Sequence, residues 1–211
     1  MSSPRERLAA VRTRIRDAAL RFGRDPDAIT LLAVSKQQPP AAIAEVAEAG
    51  QRHFGENYLQ EAQDKRAALA RTDLIWHFIG PIQSNKTRAI AEDFDWVHSI
   101  DRLKIARRLS AQRPVQRPPL QICLQVNISG ESSKSGVQPD QLAELAQAVA
   151  GLPRLRLRGL MAIPAPSDDF GEQRRACAWL RRCLEELREI QPALDTLSMG
   201  MSADLEAAIA E

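Results

Sequence analysis

Apolar positions along this 211-residue chain follow two different periods. From Leu8 they recur through Val11, Ile15, Ala19 and Phe22 at spacings of three and four, the period of an amphipathic helix. Ser3-Pro4-Arg5-Glu6 precedes that run with a serine cap, a proline at the first helical position and a glutamate three residues after the cap. Gly23 stops the helix. Beyond it, short apolar runs predict strands at 30–35, 52–54, 74–79, 96–100, 120–128, 155–163 and 196–201. Helix-like segments separate them. One opens at Pro139 and puts Leu142, Leu145, Ala146 and Val149 on one face; another places Trp179, Leu180, Cys183, Leu184 and Leu187 together and leaves Cys177 off the stripe. Cys183 therefore reads as a packing residue.

Strand followed by helix, repeated, describes an α/β protein with a parallel sheet covered by helices. An open dinucleotide-binding sheet should carry a GxGxxG turn after its first strand, and the sequence has none. The pattern favours a (β/α)8 TIM barrel, one domain over residues 1–211 with an extra N-terminal helix. Seven strand runs are one short. The chain stops inside the helix that starts near Ala203, so the eighth strand is expected to be missing through truncation.

Composition narrows the classes. A net charge of +2 is too small for a nucleic-acid footprint, and the arginine clusters at 102–117 and 154–158 read as solvated faces. No apolar run approaches the ~18 residues of a membrane span, and the N-terminus lacks a signal-peptide core, so a cytoplasmic protein without membrane partners is expected. Three cysteines without a CxxC pair argue for a reducing compartment. His53, His77 and His98 are too far apart in sequence to form a local metal motif.

The candidate chemistry follows from barrel geometry, in which functional residues sit at the C-terminal ends of the strands. Lys36 ends the first strand of LLAVSKQQP, where desolvation would lower an amine's pKa and make it nucleophilic; alternatively it simply snorkels to water. Asn57 follows the second strand and offers an amide at the rim. Ser198, Gly200, Met201 and Ser202 form the end of the seventh, with Asp204 near a helix start. Hydroxyls and free N–H groups there suit a phosphate, although such an exit can also be an ordinary turn. A lysine and a phosphate cradle facing one mouth would suit pyridoxal phosphate, or another phosphorylated ligand with Lys36 acting as a charge. Lys65 and Lys104 read as solvated helix residues. Lys134, in the loop after the fifth strand, is the rival nucleophile.

The segments LLAVSKQQP, HFGENYLQEAQDK, WHFIGPIQSNKTR, QVNISGESSKSG, RGLMAIPAP and LSMGMSADLEAAI resemble, in order and at similar spacing, the YggS/PROSC family of pyridoxal-phosphate-binding proteins. The resemblance covers essentially the whole chain. It implies a barrel like the N-terminal domain of alanine racemase and an imine between pyridoxal 5'-phosphate (PLP) and Lys36. It also implies phosphate contacts from Gly200-Met201-Ser202 and a place for Asn57 near the ring. The implied function is PLP homeostasis and supply to apo enzymes, without catalysis; the alternative is a racemase-like PLP enzyme. Racemisation would need a second proton-transfer group, and the single tyrosine, Tyr58, reads as a packing residue. Family members continue into a last strand bearing an arginine that this sequence lacks. A monomer is expected.

Overall fold

The computed structural model describes residues 2–128 and 135–211. Helix α1 (Pro4–Arg21) begins on a complete capping box: Ser3 Oγ accepts from the Glu6 N–H, and the Glu6 carboxylate accepts from the Ser3 N–H. The alternating part runs β1 (Ala33–Val34), α2 (Pro40–Glu48), β2 (His53–Glu56), α3 (Leu59–Leu69), β3 (Ile75–Phe78), α4 (Thr87–Asp93) and β4 (Trp96–Ile100). It continues through α5 (Leu103–Gln112), β5 (Leu120–Gln125), α6 (Leu142–Ala150), β6 (Leu155–Met161), α7 (Phe170–Arg188), β7 (Thr196–Ser198) and α8 (Leu205–Ala210).

All seven strands are parallel and pair strictly in chain order, β1 to β7. Every connection therefore crosses over through a helix, and every strand's C-terminal end reaches the same rim. The sheet curls: His98 on β4 hydrogen-bonds Ser198 on β7, two strands that are not neighbours. This is the topology of the expected barrel with seven strands, β1 and β7 forming the two sides of an open seam among the described residues.

Alternation along the strands separates two faces. Phe54, Trp76, Phe78, Val97, Ile122 and Leu124 belong to the main core, which the helices cover. The intervening His53, His77, Trp96 and His98 turn to the other face, where their rings touch one another. The barrel interior is thus polar and the helix-covered side apolar. A second, small core joins Ile15, Ala18 and Ala19 of α1 to Ile209 of α8, so the N-terminal helix packs onto the C-terminal one. No helix among the described residues is long and apolar enough to cross a membrane.

Several sequence expectations are corrected. The run Leu31–Val34 is not a fully buried strand: β1 is two residues long and Val34 is 48% exposed, because β1 lies at the sheet's edge. Strand β7 ends at Ser198, placing Met199 to Met201 in the following loop. Cys177, expected off the stripe, is buried on α7 with Leu180, Leu184 and Leu187, while Cys183 packs against the main core as expected. Arg113 is buried, donating to the carbonyls of Ala91, Phe94 and Pro118, so that part of the 102–117 cluster braces loops rather than facing water.

Candidate functional site

Lys36 sits in the turn just past β1, and its side chain is exposed rather than desolvated. What is buried is the apparatus beneath it. Ser35 Oγ donates to Glu56 Oε1 at 2.6 Å, and Lys65 Nζ lies 2.8 Å from the same oxygen and 2.6 Å from the Ser35 carbonyl. Lys65 also pairs with Glu61, whose carboxylate accepts the backbone N–H of Gln37. Both neighbours of Lys36 are therefore held by one charge cluster. That tether accounts for Gln37 standing at φ +61°, a left-handed conformation costing a non-glycine residue roughly 1–2 kcal/mol. Lys65, read from sequence as solvated, is 4% exposed; its stem crosses from α3 under the rim to reach Glu56. The hydrogen bond from Lys65 and the backbone N–H of Gln37 hold the Glu61 carboxyl below its usual range.

Asn57 follows β2, and its Oδ1 is buried without a hydrogen-bond partner among the described residues. An orphaned amide oxygen costs about 1–3 kcal/mol and is the kind of atom a bound ligand would satisfy. Gly80, after β3, passes close to this segment: a Cβ there would collide with the Asn57 carbonyl oxygen. Tyr58 next to it is 55% exposed and caps the start of α3, so it does not pack as expected.

The end of β7 and the loop after it bring Ser198, Gly200, Met201 and Ser202 to the same rim, Ser198 half-buried and the other three exposed. Gly200 has φ +87°, and a Cβ there would lie 2.7 Å from Ala208 Cβ, so only glycine allows the loop to fold back on α8. Buried Asp204 accepts the Met201 N–H, which means this N–H is already engaged by a carboxylate rather than free. Arg14 of α1 donates to the Ser202 carbonyl at 3.2 Å and pairs with Glu206 at 2.8 Å, tying the loop to the first helix. Lys134 lies outside the described residues, as does most of the polar loop after β5. Arg158 is mid-strand in β6, paired to Asp195 at 2.6 Å and stacked 4.9 Å over Trp96, away from the rim.

Sequence reading missed one constellation. His53, His77 and His98, one on each of three successive strands, form a continuous hydrogen-bonded line: His53 Nδ1 to His77 Nε2 at 2.9 Å, and His77 Nδ1 to His98 Nε2 at 2.8 Å. His98 Nδ1 then meets Ser198 Oγ at 2.6 Å. Burial drives the His77 pKa down to about 2, with His98 and His53 adding to the effect, and lowers His98 to about 4. Burial also lowers His53, partly offset by Asp95. All three rings are neutral near pH 7. The signal was one histidine per strand at an interior position, visible only once the strand register is known.

The chain belongs to the family described as the alanine racemase N-terminal domain, which matches residues 7–211. Among curated proteins it is 62% identical to the pyridoxal phosphate homeostasis protein of Pseudomonas aeruginosa, over 100% of this chain and 90% of that one. It is 58% identical to the protein of the same name from Escherichia coli, over 96% and 88% respectively. Among solved structures it is similar to PipY of Synechococcus elongatus with PLP bound: TM-score 0.86, 38% identity, covering 99% of this chain and 93% of that one. Alanine racemase from Corynebacterium glutamicum shares the fold, at TM-score 0.64 and 17% identity over 90% of this chain and 53% of that one.

Proposed function

We propose that this chain, as one barrel domain over residues 1–211, binds PLP and acts in its homeostasis and supply, without catalytic turnover. In this reading Lys36 takes the cofactor's aldehyde carbon, Asn57 lies near the ring, and Ser198, Gly200, Met201 and Ser202 surround the phosphate. The observation that carries it is the common rim: the parallel sheet delivers the Lys36 turn, Asn57 and the loop after β7 to one face, with the first and last at the two sides of the seam. The buried Asn57 Oδ1, without a partner among the described residues, fits a polar ligand group at that rim. PLP supplies a reactive aldehyde and an anionic anchor. The protein's own residues hold the Lys36 backbone in place through Glu56, Glu61 and Lys65, so that the amine is presented to solvent and ligand.

The names of the relatives and the PLP in PipY support the same ligand here. A carrier is favoured over a racemase because Tyr58 is exposed at a helix start and makes no hydrogen bond among the described residues that would orient it as a second base. Apo PLP enzymes as recipients, a monomeric state and a cytoplasmic location complete the proposal.

The test is reductive trapping. Borohydride added to protein loaded with PLP should fix the cofactor on Lys36, and Lys36→Ala should remain colourless. Label found on Lys134 would move the site. Incubation with L- or D-alanine should leave chirality unchanged; sustained interconversion would replace the carrier reading with the racemase.

A further inference from the structure

The line His53–His77–His98–Ser198 crosses the interior of the barrel and joins the rim to the opposite face. Its far end, half-buried His53, lines a cleft of about 470 Å³ at the N-terminal ends of β1 and β2, with Arg12, Ile29 and Gln51 among the other lining residues. His53 spends Nδ1 on His77, and its Nε2 has no partner among the described residues. At the cleft end, Arg12, Arg16, Asp27 and Arg52 line the space that His53 faces. Asp95 acts on His53, while Trp96 stacks on His77 at 5.5 Å and carries Arg158, itself neutralised by Asp195.

A neutral imidazole donates from one nitrogen and accepts at the other. Three such rings in series can therefore be ordered in only two ways, all protonated on Nε2 or all on Nδ1. Ser198 Oγ has no side-chain hydrogen-bond partner among the described residues other than His98 Nδ1, at 2.6 Å, so without a ligand its O–H is satisfied within the protein only by donating to that ring. This sets the order in the ligand-free protein: Ser198 O–H donates to His98, His98 Nε2–H to His77, and His77 Nε2–H to His53, leaving His53 Nε2–H toward the cleft. In that order Ser198 offers a phosphate only lone pairs.

Resting on the reading that Ser198 meets the ligand's phosphate, we propose that His98, His77 and His53 are positioning residues that relay a proton through the barrel and turn Ser198 from an acceptor into a donor when a phosphate monoester binds. The balance is closed. The proton of the phosphate monoanion passes to Ser198 Oγ, the Ser198 proton to His98 Nδ1, the His98 Nε2 proton to His77 Nδ1, and the His77 Nε2 proton to His53 Nδ1. The His53 Nε2 proton leaves to water in the cleft. The ligand is then held as the dianion, Ser198 donates to it, and all three rings carry their proton on Nδ1 with no change in the protein's charge.

The chain contains only these three histidines, so 15N-histidine NMR of the whole protein reads the relay without assignment ambiguity. Free protein should show three Nε2–H rings, and PLP should convert all three to Nδ1–H together. Pyridoxal, which has the aldehyde but no phosphate, should leave them unchanged. Conversion of His98 alone, or of none, overturns the relay, as does conversion by pyridoxal. Ser198→Ala separates the two readings. Unchanged preference for PLP over pyridoxal would remove Ser198 from the phosphate site and end both. A preference lost in Ser198→Ala, with unmoved histidines in the wild type, would end the relay alone. His77→Phe should lower the preference about tenfold and pin His98 in one tautomer; if that variant does not fold, the wild-type spectra decide.

Discussion

Lys65 and Glu56 form an ion pair at 2.8 Å, with side chains 5% and 0% exposed. The pair sits beneath the turn that carries Lys36, and Lys65 also holds the carbonyl of Ser35. Glu56 Oε2 has no partner among the described residues, so the carboxylate depends on Lys65 and Ser35 for all its compensation.

Lys65→Met should therefore be strongly destabilising. Removing one partner strands a buried carboxylate, at a cost of about 3–5 kcal/mol. Urea unfolding measures it, and the same variant should trap PLP on Lys36 less completely because the turn is no longer tethered. A loss under about 1 kcal/mol would mean that Glu56 is already satisfied some other way.

Gly80→Ala tests the close approach at the rim. The added methyl would have to displace the Asn57 backbone, and overpacking of this kind costs about 1–3 kcal/mol. PLP affinity should fall along with stability. Gly151→Ala, where a Cβ meets nothing, is the control and should be nearly silent in both measurements.

Acid should weaken the fold through the histidine line. His77 and His98 have folded pKa values of about 2 and about 4, against 6.5 for the free side chain. Between pH 6.5 and 4 the unfolded chain binds protons at both residues that the folded protein refuses. Their contribution is fully present above pH 6.5 and falls with pH, by about 1.4 kcal/mol per unit for each histidine. Denaturant titrations at pH 7, 6 and 5 would measure the slope, and His77→Phe should make it shallower.

The thiols should be inert in the native state. Burial pushes Cys123 up to about 12 and Cys177 and Cys183 up to about 11, keeping all three protonated at neutral pH. Alkylation by iodoacetamide at pH 7.5 should be slow until denaturant is added, with Cys123 the last to react.

Much of the fold was legible because strand and helix differ in period, and because caps such as Ser3-Pro4-Arg5-Glu6 are local signals that need no partner. Strand β4 matches its expected span, whereas β1, β3, β5, β6 and β7 came out shorter, since a run of apolar residues does not encode where strand pairing ends. Lys36, Asn57 and the 198–202 segment were legible as strand exits. Lys65 was misread because a lysine on a helix surface and a lysine reaching under a rim look alike in sequence; only the position of Glu56 on the adjacent strand distinguishes them. The histidine line was illegible for a related reason: its members are 24 and 21 residues apart, and their meeting depends on register.

Because each strand pairs with the one made just before it, the sheet can be laid down in the order of synthesis, every β–α unit docking on its predecessor as it leaves the ribosome. Contacts that skip over strands cannot form that way, the Arg14–Glu206 pair between α1 and α8 among them. His98 and Ser198 are 100 residues apart, and His98 waits on the interior face until β7 has been made. Until then its Nδ1 has no serine to meet. The arrival of β7 thus completes the line across the interior, and the backbone amides that β7 holds, such as the Ala162 N–H on the Ser198 carbonyl, should be among the last to gain protection in pulse-labelled folding.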